Sequence, residues 1–398
     1  MHNGENTHEK GLITMAHLFR TPTYSFIGEH ALKDAASVLV RLGKKALIVS
    51  GQSMIRQGHV ALLEQLLDEG GVAYARFSEI SGEPTDVMID AGLAVYQAEG
   101  CDFAIGIGGG SALDSAKAIS VCAATGERIV AFKGRAIDGE VPPVVCIPST
   151  AGTGSEATKF TVITDTANNE KLLIGGDGLM PTLAIVDPLF SMQAPESITV
   201  ATGMDALTHA IEAYTSRKAF PESDLFCLSA VKRIFSYLPV AVRDGSDAEA
   251  RSAMAIAAYE AGIGIANSSV TVVHGMSRPI GALFHVPHGI ANAMILQACL
   301  AYVVGGAEAR FADLARAIGQ AKDDDNDASA ARAFLEAVAV LCEDCKVPTL
   351  ESYGIDRARF FDCMDKMAVD ALASGSPANT RMPLEKEDLL TIYRSLWQ

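Results

Sequence analysis

Positive charge is scarce in this sequence. Its 398 residues include 32 lysines and arginines against 48 aspartates and glutamates, which gives a formal net charge of −16 at pH 7. Affinity for a polyanion such as DNA depends on clustered Lys and Arg, and the chain has no basic stripe. We therefore expect no nucleic-acid partner.

Long apolar runs are lacking as well. We find none long enough to span a bilayer, and residues 1–15, MHNGENTHEKGLITM, contain nothing like the apolar core of a signal peptide. Both observations predict a cytoplasmic protein with no membrane partner. Residues 1–18 are expected to form a flexible leader, within which Met15 is an alternative start to Met1.

The cysteines form neither a metal-binding nor a disulfide pattern. All eight are scattered, and the one close pair, Cys342 and Cys345, has no second CxxC and no histidine partner. Reduced structural thiols are expected, which suits a cytosolic protein. The chain is 49% hydrophobic and 20% charged, as soluble globular proteins are, and its length predicts two domains.

The first half of the chain alternates strand and helix patterns. Short apolar runs such as KALIVS at 45–50, AIGI at 104–107 and VVCIP at 144–148 are separated by helical segments. This β-α-β order predicts a doubly wound parallel sheet with right-handed connections. We therefore expect residues 19–195 to form a Rossmann-like α/β domain.

Strand patterns stop near Ile198, and alanine-rich periodic segments such as DALTHAIEAYTS and EARSAMAIAAYEAGIGIA continue to the C-terminus. Pro188 and Pro195 mark this change. Residues 196–398 are predicted to form an all-α domain that carries a metal site. A small-molecule active site is expected in the cleft between the two domains.

A glycine turn follows the strand AIGI. Gly108, Gly109, Gly110 and Ser111 precede the helix ALDSAKAISVCAA, so bare backbone amides meet a helix N-terminus where a phosphate can dock. The GxGxxG fingerprint is absent, and an ordinary tight turn explains such a cluster equally well.

A second candidate loop follows the strand VVCIP. It runs STAGTGSE from Ser149 to Glu156, so small hydroxyl residues alternate with glycines at the carboxyl end of a strand. Ligands of open α/β sheets bind at such ends. The alternative interpretation is a Ser/Thr-rich turn that caps a helix.

Four plausible metal ligands lie in the helical half. Asp205 and His209 are four residues apart in a helical segment, so their side chains share one face. His274 and His288 would complete the set. One carboxylate and three imidazoles suit iron(II) or zinc, although any one of these histidines alone is more often structural.

The two later histidines are separated by residues that disfavour a helix. Pro279, Gly281 and Pro287 predict a break that lets the chain turn back. Both imidazoles could then reach the same ion.

Several segments of this chain resemble the signature segments of the iron-dependent (group III) alcohol dehydrogenases. They are TGMDALTHAIEAYTS, GGGSALDSAK, PSTAGTGSEAT, and HGM followed by PIGALFHVPHGIANA. The resemblance extends from Phe19 to Gln398 and implies the two-domain, dehydroquinate-synthase-like fold of that family. It also implies that Asp205, His209, His274 and His288 are the iron ligands.

The same resemblance implies a cofactor site and makes residues 19–195 a dinucleotide-binding domain. GGGSALDSAK matches the pyrophosphate motif of the family, and PSTAGTGSEAT matches its dinucleotide loop. The residues so implied are Gly108, Gly109, Gly110, Ser111, Asp114, Ser149, Thr150, Thr153 and Thr158. Lys171 falls where the family keeps a lysine near the nicotinamide ribose, and a solvated surface lysine is the alternative there.

The activity implied by the resemblance is hydride transfer between a short-chain primary alcohol and NAD or NADP, with Fe²⁺ or Zn²⁺ as the Lewis acid. Relatives are usually homodimers or higher homo-oligomers. Two alternatives are an NAD- and metal-dependent lyase of the dehydroquinate-synthase type and a non-catalytic nucleotide-binding protein.

One residue departs from the family pattern beside the third metal ligand. Family members commonly carry a second histidine four residues after that ligand, where it is thought to relay the alcohol proton. Here the residue is Arg278, which cannot act as a base at physiological pH. Arg278 is therefore expected either to bind an anionic group on the substrate or to pair with a local acid. Proton exchange would then use water, a ribose hydroxyl or His285.

A second departure concerns the choice of cofactor. After its second strand, the family often has an aspartate that accepts a hydrogen bond from the adenosine ribose and repels a 2′-phosphate. Gly51 stands at that place. No carboxylate excludes NADP and no adjacent cation invites it, so NAD and NADP both remain possible cofactors.

Overall fold

The computed structural model describes residues 16–168 and 170–397. Most of the predicted leader, including Met15, lies outside the described residues. The first regular element is a strand that begins at Tyr24.

A parallel sheet organises the first half of the chain. The strands are β1 Tyr24–Ile27, β2 Lys45–Ser50, β3 Ala73–Phe77, β4 Phe103–Gly108, β5 Val144–Pro148, β6 Phe160–Asp165, β7 Glu170–Gly175 and β8 Leu183–Val186. Six of them form one parallel sheet in the order β1-β8-β5-β4-β2-β3, and β6 pairs with β7 as an antiparallel hairpin. The predicted Rossmann-like α/β class is confirmed.

Helices cover both faces of the sheet. They are α1 Ala31–Asp34, α2 Ala36–Leu39, α3 Gln52–Arg56, α4 His59–Glu69, α5 Asp86–Ala98 and α6 Gly110–Thr125. Side chains alternate along β2: Leu47 and Val49 pack in the core with α5 and α6, whereas Ala46 and Ile48 pack in the core with α2 and α4. Burial on both faces explains why the central strands β2, β4, β5 and β8 are almost uninterrupted apolar runs.

The order of the strands creates a binding crevice. The chain passes from β2 outward to β3, returns to β4 on the other side of β2, and then continues to β5. The connections that leave β2 and β4 therefore run in opposite directions. Open α/β sheets bind ligands at the carboxyl ends of such neighbouring strands, which here are Ser50 and Gly108.

The second half is helical throughout its described residues. Its helices are α7 Glu196–Thr215, α8 Pro221–Arg243, α9 Ala248–Asn267, α10 Val272–Phe284, α11 His288–Val303, α12 Glu308–Ala317, α13 Asp327–Asp344, α14 Leu350–Tyr353, α15 Arg357–Ala373 and α16 Lys386–Ser395. Their apolar faces meet in one continuous core. The predicted all-α class is confirmed for this half.

Two helices of this core are more apolar than the sequence analysis expected. Helix α8 and the segment His288–Gly306 are each long and apolar enough to cross a membrane, with a mean hydropathy of 1.5, and the bent pair α9 and α10 also passes the same criteria as one span. The expectation that no run is long enough was therefore wrong on length and composition. In this fold, α8 packs against α7 and α9, and α11 packs against α7 and α10.

Candidate active site

Helix α7 is the centre of the candidate metal site. Asp205 and His209 are both buried on it, and their four-residue spacing places them one turn apart. His274 lies in the first turn of α10, and His288 is the first residue of α11. The helices bring the four predicted ligands together, because one donor atom of each lies within 4.8 Å of the others.

The carboxylate of Asp205 lies among the three imidazoles. Its Oδ1 atom is 4.0 Å from Nε2 of His209, 3.7 Å from Nε2 of His274 and 3.6 Å from Nε2 of His288. Two ligands that each lie about 2.0–2.2 Å from one ion are roughly 3–4 Å apart, depending on the angle between the bonds. These separations fit a single shared divalent cation.

Glu212 orients one of the imidazoles. Its Oε2 atom lies 2.6 Å from Nδ1 of His274, while its Oε1 atom accepts hydrogen bonds from Oγ1 of Thr271 at 2.7 Å and from the amide of Val273 at 2.6 Å. An ionised carboxylate can only accept, so the proton of the neutral imidazole resides on Nδ1. The lone pair of His274 is then on Nε2, which faces Asp205.

Asn292 on α11 contacts predicted ligands on three helices. Its Nδ2 atom donates to Oδ1 of Asp205 at 2.7 Å and lies 3.2 Å from Nε2 of both His274 and His288. Its Oδ1 atom accepts from the hydroxyl of Ser277. The side chain is fully buried, so Asn292 fixes the mutual positions of three ligands.

The electrostatics of the cluster suit a cation. Burial alone would raise the pKa of Asp205, but the three imidazoles and Asn292 hold that pKa below its ordinary value. Burial lowers the pKa of His274 well below its ordinary value and also lowers that of His288. An ionised carboxylate and neutral imidazoles are the protonation states that bind a metal, so these residues fit iron(II) or zinc.

The chain turns between the two later predicted ligands, at only one of the three positions that the sequence predicted. Helix α10 continues through Pro279 and Gly281 to Phe284, so those two residues do not break it. The turn comes at His285, which has a left-handed φ of 56°, and at Pro287. Buried neighbours such as Ile280 hold the helix together and offset the roughly 3 kcal/mol cost of an internal proline.

The glycine turn leaves space at the N-terminus of α6. Gly108 ends β4 with a φ of 148°, which favours glycine, and no side chain caps α6 at Gly109. A Cβ atom at Gly110 would lie only 2.9 Å from Cγ2 of Thr153. The first amides of α6 are therefore available to an anion. They lie beside the segment 149–156 that follows β5, which we call the hydroxyl loop.

Three more predicted cofactor residues line the same edge of the sheet. The amide of Ser149 donates to the carbonyl of Gly108 at 2.8 Å, and the side chain of Thr150 lies 3.7 Å from the position of a Cβ on Gly109. Gly51 directly follows β2 and is the N-cap of α3. Since β2, β4 and β5 are neighbours, their ends form one crevice.

Asp114 and Thr158 are engaged within the protein. The carboxylate of Asp114 accepts from Oγ of Ser155 at 2.6 Å and from the amide of Val162 at 2.8 Å. The buried ammonium of Lys117 donates to the carbonyl of Thr158 at 2.9 Å and also contacts Ser155. These contacts hold the loop in shape, whereas the predicted contacts of Asp114 and Thr158 with a cofactor stay predictions.

The remaining predicted residues lie around the metal cluster. Arg278 is partly buried one turn after His274 on α10 and donates to Oγ of Ser376 at 3.0 Å. His285 is exposed at the end of the same helix. Lys171, on β7, forms an ion pair with Glu83 at 2.6 Å and lies near enough to His288 to lower its pKa.

Close backbone contacts join the hydroxyl loop to the helical half. A Cβ atom at Gly152 would lie 2.5 Å from Cβ of Thr202 on α7, and one at Gly262 on α9 would lie 2.6 Å from the carbonyl oxygen of Gly154. Only hydrogen fits at these positions. The loop that borders the crevice is thereby set directly against the helix that carries Asp205.

Comparison with known proteins identifies the family. The sequence profile described as "Iron-containing alcohol dehydrogenase" matches residues 22–188, and the profile "Fe-containing alcohol dehydrogenase family, C-terminal" matches residues 199–397. The chain belongs to the iron-containing alcohol dehydrogenase family. The resemblance found in the sequence is therefore confirmed.

Individual relatives agree with this family. The NAD-dependent methanol dehydrogenase of Bacillus methanolicus is 38% identical over 83% of this chain and 87% of that protein. A solved 1,3-propanediol oxidoreductase superposes with a TM-score of 0.92 at 32% identity, over 96% of this chain and all of that one. Sulfoacetaldehyde reductase from Bifidobacterium kashiwanohense, solved with NAD⁺, has a TM-score of 0.85 at 28% identity, covering 96% of this chain and 99% of its own.

Membership of the iron-containing alcohol dehydrogenases confirms the predicted activity and cofactors. The protein is an oxidoreductase of the alcohol dehydrogenase and aldehyde reductase type that uses iron and a nicotinamide dinucleotide, and it acts on a small molecule. The lyase and the non-catalytic protein considered from the sequence are set aside.

Two residues of this family member's site escaped the sequence analysis. Glu212 lies three residues after His209 on α7, and Asn292 lies four residues after His288 on α11. Both spacings place the side chain on the same helix face as a predicted ligand. That spacing was the available signal, and for Asn292 it repeats the four-residue spacing that relates Asp205 to His209.

Proposed function

We propose that the protein interconverts short-chain primary alcohols and aldehydes, with Asp205, His209, His274 and His288 holding iron(II). In the direction of reduction, NAD(P)H gives a hydride to the carbonyl carbon and a proton goes to the oxygen, which yields the alcohol and NAD(P)⁺. The observation that supports this most strongly is the gathering of the four donor atoms within 4.8 Å.

The metal and the nicotinamide supply the reactive chemistry: when bound, the ion is a Lewis acid for the substrate oxygen and the nicotinamide carries the hydride. The protein's own residues prepare that site. Glu212 keeps the lone pair of His274 directed at the cluster. Asn292 holds the side chains of Asp205, His274 and His288 in fixed positions relative to one another. Preorganised ligands of this kind reduce the reorganisation needed during the reaction.

The dinucleotide is proposed to lie across the carboxyl ends of β2, β4 and β5. Its pyrophosphate would accept hydrogen bonds from the amides of Gly109, Gly110 and Ser111 at the N-terminus of α6. The hydroxyl loop would contact the rest of the cofactor through Ser149, Thr150 and Thr153, with Asp114 and Thr158 supporting it. Gly51 would face the adenosine ribose and admit either NAD or NADP.

The proton is proposed to reach the substrate oxygen without a histidine one turn after His274. Arg278 stays protonated at physiological pH and cannot relay it. His285 is exposed at the end of α10, three residues before His288, and therefore has access to solvent. We assign His285, or water admitted beside it, to proton exchange, and Lys171 to the nicotinamide side of the site.

The wider organisation follows from the same proposal. Residues 19–195 would form the cofactor domain and residues 196–398 the metal domain, with the substrate held between them. A cytoplasmic homodimer or higher homo-oligomer without a membrane or nucleic-acid partner is proposed.

An anaerobic assay tests the activity. Purified, iron(II)-loaded protein is mixed with NADH or NADPH and a panel of short aldehydes, and cofactor oxidation is followed by its absorbance. Turnover that a chelator abolishes and iron restores is expected. If neither cofactor is oxidised with any aldehyde by protein that demonstrably binds iron and NAD, the proposal fails.

A further inference from the structure

Arg278 lies beside the cluster of predicted metal ligands, close enough to His274 and His288 to affect their pKa values. It follows His274 by four residues on α10, which places it one turn, or about 6 Å, farther along the helix axis on the same face. It forms no ion pair with a carboxylate within the described parts of the chain. The direct pairing with a local acid that was considered from the sequence is therefore not formed within the described residues, although Glu212 is near enough to act on the charge of Arg278.

A hydrogen bond to Ser376 fixes the orientation of Arg278. Its Nη1 atom donates to Oγ of Ser376 at 3.0 Å, and Ser376 is buried directly before the turn Pro377–Asn379. That turn packs closely on α10, since a Cβ atom at Gly275 would lie 2.7 Å from the ring of Pro377. Anchored through Nη1, the guanidinium keeps its Nε and Nη2 donors, which lie side by side on one edge.

The guanidinium of Arg278 has no directly paired carboxylate to compensate its charge among the described residues. Asp205 and Glu212 would supply two negative charges, which would balance the charge of one bound iron(II). The positive charge of Arg278 would then be additional to that balance. Burial lowers the pKa of Arg278, although Glu212 acts in the opposite direction, so its charged state is poorly solvated and gains from a negative ligand.

We infer that Arg278 binds an anionic group at the far end of the substrate, and that the natural substrate is a short aldehyde or alcohol bearing a carboxylate, sulfonate or phosphonate. The inference rests on the proposed function, because it assumes that the reacting oxygen lies at the metal cluster. An anionic group with two or three oxygen atoms can accept two parallel hydrogen bonds, one from Nε and one from Nη2 of Arg278. The short distance along α10 limits the spacer to a few carbon atoms.

The first test compares substrates on the unmodified enzyme. Iron-loaded protein is assayed with NADH and NADPH for reduction of two series of aldehydes. The first series is 4-oxobutanoate and its neutral analogue 4-oxobutanamide. The second series is 2-oxoethanesulfonate, 2-oxoethylphosphonate and the neutral propanal. If Arg278 binds the anionic group, kcat/KM should be at least tenfold higher for the anionic aldehydes than for the neutral ones. The second series would show which anion the enzyme prefers. Equal or higher values for the neutral aldehydes would overturn the inference while leaving the dehydrogenase intact.

The second test removes the guanidinium. Arg278→Gln is expected to lower kcat/KM for the preferred anionic aldehyde by roughly 10- to 100-fold, mainly through KM, and to change that of the neutral analogue less than threefold. Arg332→Gln removes the same charge from the exposed face of α13 and should change neither. A loss of the same size for both aldehydes would assign Arg278 a purely structural role.

A conservative variant covers the case in which Arg278→Gln does not fold. Arg278→Lys keeps the positive charge but cannot form two parallel hydrogen bonds. It is expected to retain turnover of the neutral aldehyde and to lose at least threefold in kcat/KM for the anionic one. Unchanged selectivity in this variant would contradict recognition by a guanidinium fork.

A binding measurement separates this inference from the proposed activity. Ethanesulfonate, which has no carbonyl to reduce, is titrated calorimetrically into the metal- and NAD⁺-loaded protein and into Arg278→Gln. Binding that the substitution weakens at least tenfold supports the anion site even if every aldehyde fails as a substrate. Binding of equal strength to both proteins would refute it even if the enzyme reduces neutral aldehydes.

Discussion

Nδ1 of His274 lies 2.6 Å from a carboxylate oxygen of Glu212, and the same carboxylate also accepts from the amide of Val273. Glu212 on α7 thus binds the first turn of α10 and also orients His274, one of the predicted metal ligands. Burial raises the pKa of Glu212, whereas its hydrogen-bond donors act to lower it. The orientation of His274 therefore depends on Glu212 remaining an acceptor.

We expect Glu212→Gln to weaken metal binding by roughly 10- to 100-fold, because a neutral amide orients and polarises the imidazole less strongly. Competition with a chromophoric chelator measures the affinity directly. Glu260→Gln, which alters a partly buried carboxylate bound to Ser229 and Arg233, serves as the control and should bind metal normally. If both variants bound the metal with equal affinity, Glu212 would have no role in metal binding.

Gly51→Asp is expected to select against NADP. Its carboxylate would lie at the end of β2 where the proposed adenosine ribose sits, and it would repel a 2′-phosphate. We expect KM for NADPH to rise at least tenfold, with a smaller change for NADH.

Gly51→Ala is the matched control for that experiment. A Cβ atom at this position lies 3.1 Å from the carbonyl oxygen of Ile80, so any effect of crowding appears in both variants. Parallel changes for the two cofactors in Gly51→Asp would mean that the ribose does not lie at Gly51.

Glu156 should make stability depend on pH. It is buried, its Oε2 atom has no partner within the described residues, and burial raises its pKa to about 7. The folded state therefore favours the protonated acid, and this stabilisation is complete below the unfolded pKa near 4.5 and is lost as the pH rises through 7.

Glu156→Gln imitates the protonated acid, so we expect it to stabilise the protein at pH 8 by roughly 2–3 kcal/mol and to have little effect near pH 5. Denaturant unfolding of the metal-free protein at both pH values measures the difference. The exposed Glu336→Gln on α13 should show no such dependence. A gain that is the same at both pH values would exclude titration of Glu156 as its cause.

Gly262→Ala should disturb cofactor binding from a distance. Its methyl group would meet the carbonyl oxygen of Gly154 at 2.6 Å, so the hydroxyl loop must move or the helices must separate. We expect a lower melting temperature and a KM for NAD(P)H at least fivefold higher. Gly305→Ala, whose methyl group meets nothing within 4 Å, controls for loss of backbone freedom, and a normal KM in Gly262→Ala would show that the loop tolerates displacement.

The sequence was sufficient for the parts of the site that depend on local geometry. The four-residue spacing of Asp205 and His209 requires only a helix to bring them together. The glycines at 108–110 likewise follow a recognisable buried strand, whose end faces the crevice in any doubly wound sheet. These features were predictable because each depends on neighbours in the chain.

Other parts depend on contacts between distant segments. The contact of Asn292 with Asp205 joins residues on α11 and α7, and the four-residue spacing of His288 and Asn292 along α11 does not indicate which residue of α7 Asn292 meets. Pro279 predicted a break in α10, but burial of that helix outweighs the cost of the proline. The partners of Asp114 lie on the loop and hairpin that follow β5, so its engagement there also required the fold.

The proposed metal ligands come from three helices, with Asp205 and His209 on α7, His274 on α10 and His288 on α11. An ion held by all four would act as a cross-link between segments distant in sequence. Ligand-linked stability grows by about 1.4 kcal/mol for each tenfold rise in free ion above its dissociation constant. The heat resistance of this enzyme in a cell would therefore vary with the iron supply, so that scarcity of iron shortens its lifetime as well as its turnover.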